Sequence, residues 1–188
     1  MRKDSIIQFT GFITSLETEK FLAQWEPYAR GFNKITSPED MTLQEEVNEK
    51  SKYRYVSLHE YKNQDFEFNF MKGKSSVYFP EQKVRVVQAG GYAPVQIGCK
   101  YQNQHRDVKI LVFLSHDEYD IALYQELSPY KSLSIYRAYY ESCAYGNILE
   151  YYTSEEGAGE LLQQLKMRPF AEAAAYKDCL LPKALKLV

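Results

Sequence analysis

At 188 residues, with 25 acidic and 23 basic side chains that nearly cancel, the chain has no charge excess to draw in nucleic acid or an anionic membrane. Its composition, 45% hydrophobic and 26% charged, is that of a soluble globular protein, and no apolar run approaches the ~20 residues a transmembrane helix needs. The apolar stretch from Ile6 to Ile13, interrupted by Gln8 and Thr10, is too short for a signal peptide, so a cytoplasmic location is expected.

In chain order, Ser5 to Ile13 reads as a first strand. Thr14 and Glu17 have the capping-box spacing that opens a helix, and Phe21, Leu22, Trp25, Tyr28, Ala29 and Phe32 recur at three and four along one helical face. Pro27 should kink that helix or end its regular part early. Met41 to Val47 alternates like a half-buried strand, and a polar turn at Asn48 to Ser51 joins it as a hairpin to the strand Lys52 to Tyr61, KYRYVSLHEY. In that strand Tyr53, Tyr55, Ser57, His59 and Tyr61 share one face, with Arg54, Val56, Leu58 and Glu60 on the other. The aliphatic pair Val56 and Leu58 suits a helix-covered core, which would turn His59 and the tyrosines toward a partly polar cavity. A second helix is expected beyond Asn63 and Asp65, carrying Phe66, Phe70 and Val77 with Phe68 and Met71, and ended by Pro80. Lys83 to Gln88 is then a fourth strand, with Gly90, Gly91 and Pro94 bending or bulging its end.

This order, β-α-β-β-α-β, is the ferredoxin-like unit. After the polar stretch Lys100 to Asp107 the pattern restarts: a strand at Val108 to Leu114, a helix opened by Ser115 and Glu118, and two strands at Leu133 to Glu141 and Ile148 to Thr153. Thr153 and Glu156 open a helix carrying Ala158, Leu161, Leu162 and Leu165, which the alanine-rich Phe170 to Lys177 should continue, and Cys179 to Val188 closes the chain as an edge strand. The fold class is therefore α+β, with tandem ferredoxin-like units at about 1–98 and 106–188; their shared feature is element order, with almost no identity.

Two such units, each with a tyrosine-rich hairpin strand running into an amphipathic helix at HEYKNQDFEFNFMKG and EYYTSEEGAGELLQQL, resemble the dimeric α+β barrel superfamily, and within it the antibiotic biosynthesis monooxygenase-like domains. The resemblance implies antiparallel sheets packed face to face with helices outside, here as an intrachain pseudo-dimer, and it leaves a homodimer open as a further assembly. It also implies a small-molecule ligand, planar and aromatic, handled by a cofactor-independent oxygenase or held by a non-catalytic binding or assembly module. The residues call for no cofactor, while the resemblance keeps haem open; no catalytic signature of the family carries over.

Candidate residues follow from the strand face. His59, with Tyr53, Tyr55, Ser57 and Tyr61 beside it, is the candidate general base at near-neutral pH. If Leu58 matches Leu149 in the repeat, Glu150 and Tyr152 stand where His59 and Tyr61 do. Trp25 could wall a pocket or simply be core. Arg85 and Arg137 each interrupt an apolar strand and must reach solvent, pair with a carboxylate such as Glu45 or Glu141, or await an anionic ligand. His116 reads as a solvated helix start and His105 as linker. No two histidines have ligand spacing, and Cys99, Cys143 and Cys179 lack any CxxC, so neither a metal site nor a disulfide framework is expected.

Overall fold

Period-two alternation and antiparallel pairing account for most of the architecture. The computed structural model describes residues 4–36, 38–47, 51–62, 83–98, 108–115, 132–166 and 171–179. Among them, eight strands are laid down as β1 (Ser5–Thr14), β2 (Asp40–Glu46), β3 (Tyr55–Lys62), β4 (Val84–Gln96), β5 (Val108–Leu114), β6 (Ser134–Ala138), β7 (Asn147–Thr153) and β8 (Ala171–Asp178), with helices α1 (Thr18–Thr36) and α2 (Glu155–Lys166). They close into one barrel in the order β1-β3-β2-β8-β5-β7-β6-β4, every ladder antiparallel. Each half contributes its four strands in the same relative order, and the β2–β8 and β4–β6 ladders join the halves. The two expected face-to-face sheets are thus one continuous wall, and closure removes the open edges such sheets would carry.

The expected helix at Phe170 to Lys177 is instead β8, paired with β2 and β5. Alanine favours helices, but here the small side chains fit a strand held between two others. Ala174 faces the lumen cluster, while Ala173 and Ala175 pack beneath α2. Helix α1 runs on past Pro27 to Thr36, because Tyr28, Ala29 and Phe32 on the same stripe remain buried against the sheet. Strand β4 also continues through Gly90, Gly91 and Pro94. One extra residue on β4, between Gln88 and Gly90, is absorbed where the register against β1 shifts, with Gly90 at φ 112°. Ser154, rather than Thr153, caps α2 by accepting from the Gly157 N–H at 3.2 Å. The helices expected after Asn63 and after Ser115, the stretch Lys100 to Asp107 with His105, His116, Cys99 and the last strand beyond Cys179 lie outside the described residues.

Three cores result. The first lies between α1 and the outer face of β1, β2 and β3; the second fills the lumen; the third lies beneath α2 on β5, β7 and β8. The alternation of β3 holds from Tyr55 onward, but its sense is the reverse of the expected one. Tyr55 and Tyr61 belong to the cluster under α1, whereas Val56 and Leu58 belong to the lumen. The aromatic stripe of α1 decides this. Phe21 stacks on Tyr55 with centroids 3.9 Å apart, and Phe32 meets the His59 ring edge-on at 4.7 Å. Tyr53, before the bend at Arg54, turns the other way into the lumen.

His59 is fully buried on this outer face. Ser57 Oγ donates to the Thr42 carbonyl at 3.0 Å and lies 2.8 Å from His59 Nε2. With its one hydrogen so placed, Ser57 accepts from Nε2–H, which leaves Nδ1 as the bare nitrogen, buried without a partner. Gln8 and Thr10 of β1 lie on the same face and likewise bury side-chain atoms without partners. Burial pushes the His59 imidazole from 6.5 down to about 3.

Two outcomes are expected. A Cβ at Gly11 would collide with the Tyr53 ring, whereas one at Gly31 of α1 meets nothing within 4 Å. In urea unfolding Gly11→Val should therefore cost about 1–3 kcal/mol, and Gly31→Ala should stabilise by roughly 0.5–1 kcal/mol; equal effects would contradict this packing. For His59 the folded value is depressed, so the unfolded chain takes up the proton first and stability is lost as pH falls below 6.5. Between pH 7 and 5 the loss from this group should be about 2 kcal/mol, and His59→Phe should remove that part of the acid slope. An unchanged slope in the variant would show that His59 is not buried in its neutral form.

Candidate functional site

Inside the barrel the side chains sort along its axis. At one end aromatic and aliphatic groups fill the space. Phe9 packs edge-on against Tyr92 and Tyr136, Tyr53 against Phe113, and the Tyr53 and Tyr145 hydroxyls meet at 2.7 Å. Cys143 is buried there, its thiol directed at the Gly91 carbonyl at 3.2 Å. At the other end, where β2 and β5 begin and β3 and β7 finish, the lumen holds a cavity of about 50 Å³ lined by Ile7, Asp40, Thr42, Leu58, Glu60, Lys109, Tyr136, Glu150 and Tyr152.

Register explains the convergence. On one wall Asp40 pairs with Glu60 and Thr42 with Leu58. On the opposite wall Lys109 pairs with Tyr152, and Leu111 with Glu150, which also faces Ser134 of β6. Strand alternation turns each of these pairs inward together. Ser5, at the start of β1, donates to Glu60 Oε1 at 2.6 Å.

The electrostatic centre is a buried ion pair. Lys109 Nζ lies 3.6 Å from Glu150 Oε2, with the two side chains 8% and 5% exposed. That spacing exceeds hydrogen-bond reach, and the ammonium instead sits 5.2 Å from the centroid of the Tyr152 ring. Burial, and after it the nearby Glu150 charge, holds the Tyr136 phenol well above its ordinary range. Tyr136 therefore presents a neutral hydroxyl, able to donate, beside an anionic acceptor.

Of the residues singled out by sequence, Glu150 and Tyr152 line this cavity. Tyr55, Ser57, His59 and Tyr61 do not; they lie on the opposite face of β3 under α1, and Tyr53 is packed into the filled end of the lumen. The expectation that His59 points between the sheets is corrected by that orientation. Trp25 is core beneath α1. Arg85 and Arg137 are exposed, the solvent-reaching alternative. Lys109, Glu60, Asp40, Thr42 and Tyr136 were missed. Lys109 carried a readable signal: it is the one charge in VKILVFL, in phase with Leu111 and Phe113.

A haem does not fit this cavity, which is far smaller than the several hundred Å³ of ordinary cofactor pockets and has no histidine among the described residues of its wall. No group of three His, Cys, Asp or Glu side chains among the described residues is placed to hold a metal ion, and no helix among them is long and apolar enough to cross a membrane.

No family model matches the chain, and no curated protein matches it. Among solved structures it is similar to chlorite dismutase from Candidatus Nitrospira defluvii. A tryptophan-to-phenylalanine variant of that enzyme in complex with cyanide aligns with a TM-score of 0.57 at 10% identity, covering 98% of this chain and 95% of the other. An arginine-to-alanine variant gives 0.56 at 9% identity over the same shares. A candidate monooxygenase from Lactobacillus acidophilus aligns more loosely, with a TM-score of 0.48 at 8% identity over 93% and 94% of the two chains. At such identities the likeness is one of fold, and it is the α+β barrel fold that the sequence resembles.

Proposed function

We propose that this chain is a small-molecule-binding α+β barrel whose site is the polar end of the lumen around Lys109 and Glu150. The observation that carries the reading is the buried Lys109–Glu150 pair, set 3.6 Å apart against a cavity. A buried pair offsets its desolvation only when further hydrogen bonds satisfy both groups. A bound polar molecule that donates to Glu150 would supply those the carboxylate lacks.

The size of the cavity favours a ligand of a few heavy atoms over the planar aromatic one that the resemblance implies. The oxygenase expectation also loses its proton-handling group, since His59 is sealed against Phe32 and Ser57. The groups at the cavity that could bind or pass a proton are Asp40, Glu60, Lys109, Tyr136, Glu150 and Tyr152. The non-catalytic reading of the barrel as a binding module is thus the better supported one.

Backbone amide NMR with a library of small polar fragments tests this. Binders should shift Thr42, Leu58, Lys109 and Glu150 together, and Leu58→Trp, which fills the cavity, should abolish those shifts while keeping a folded spectrum. Overpacking of this kind costs about 1–3 kcal/mol, which denaturant unfolding would register separately. Fragments that bind equally well to Leu58→Trp would place the site elsewhere.

A further inference from the structure

We propose that the lumen pocket selects a small organic cation, a primary ammonium group, with Glu150 as its counter-ion. This rests on the reading of the pocket as a ligand site. Among the described residues its wall carries three carboxylates, from Asp40, Glu60 and Glu150, against one ammonium, from Lys109. An anionic ligand would add a further like charge within a few ångströms of them, at a distance where such repulsion is large in a partly buried site.

Charge sign alone would not make a site, and the state of Glu150 supplies the second observation. The residue is only 4% exposed, yet Lys109, its charged partner among the described residues, stands 3.6 Å off. A carboxylate offers about four acceptor positions, so Glu150 faces the cavity with acceptor capacity that the lysine does not fill. Lys109 is drawn instead toward the Tyr152 ring. A ligand that donates hydrogen bonds and carries positive charge fits both facts. A primary ammonium brings three donors to the carboxylate. A metal ion fits less well, because no three ligating side chains among the described residues converge, while a cavity of about 50 Å³ suits an amine of two or three carbons.

The test is an amide NMR titration of the whole chain with three probes of matched size: ethylammonium chloride, sodium acetate and acetamide, at constant ionic strength. Ethylammonium should saturate the shifts of Leu58, Lys109 and Glu150, with a dissociation constant on the order of 1 mM, about the ceiling for a ligand of three heavy atoms. Acetate and acetamide should leave them unsaturated at tenfold higher concentration. Glu150→Gln should weaken ethylammonium by tenfold or more. If acetate or acetamide binds as tightly as ethylammonium, the pocket remains a site and the cation assignment falls. If none of the three perturbs these residues, the cation assignment falls, and the fragment library decides the site separately. The order of the probes on the unmodified chain settles the matter even if Glu150→Gln does not fold.

Discussion

The seating of α1 on β3 is the constraint from which the site follows. Thr18 in the first turn of the helix donates to Glu45 at 2.6 Å, and the Tyr55 hydroxyl lies 3.1 Å from both. At the other end Tyr61 donates to Thr36 at 3.0 Å, and Thr36 in turn donates to the Phe32 carbonyl at 2.9 Å. Two tyrosines six residues apart on one strand face thus hold both ends of the helix, with Phe21 and Phe32 filling the space between. Because strand side chains alternate with period two, a face committed to the helix commits the other to the lumen. Leu58 and Glu60 have no other place to go.

What that alternation delivers to the lumen is polar only at one end. The filled end is closed by hydroxyl-to-backbone and hydroxyl-to-hydroxyl bonds: Tyr145 N–H donates to the Tyr92 hydroxyl at 3.2 Å, and the Tyr176 hydroxyl donates to the Tyr53 carbonyl at 3.1 Å. These tyrosines satisfy their own polar atoms within the packing. The open end depends on barrel closure. Asp40, Thr42, Leu58 and Glu60 come from the first half of the chain and Lys109, Tyr136, Glu150 and Tyr152 from the second, so the ladders that join the halves also assemble the cavity. The cavity exists only where both walls meet.

Much of this was legible in the sequence. The strand positions, the helical stripe of Phe21, Trp25, Tyr28 and Phe32, and the α+β class follow from periodicity, which burial enforces locally. The orientation of β3 did not follow, because an aliphatic pair and an aromatic row are both apolar enough to cover a helix. The choice was made by contacts with the Phe21 and Phe32 rings, which lie 34 and 27 positions away in sequence from Tyr55 and His59. For the same reason β8 was read as helix: intrinsic alanine propensity is worth tenths of a kcal/mol per residue, less than the ladders β8 makes with β2 and β5. Glu150 and Tyr152 were named by matching Leu58 to Leu149, a match the structure does not keep, since Leu58 packs in the lumen and Leu149 beneath α2. Lys109 was passed over, although a lone charge in phase with the inward residues of an apolar strand is the same kind of signal that drew notice to Arg85 and Arg137.

The orientation of β3 is therefore the claim on which the rest stands, and aromatic and methyl NOE spectroscopy reads it directly. The account predicts cross-peaks between the His59 ring and the Phe32 ring, together with cross-peaks between the Leu58 methyls and the Tyr136 ring across the lumen. Cross-peaks from His59 to Tyr136, with Leu58 against the rings of α1, would contradict it and return the histidine face to the interior of the barrel.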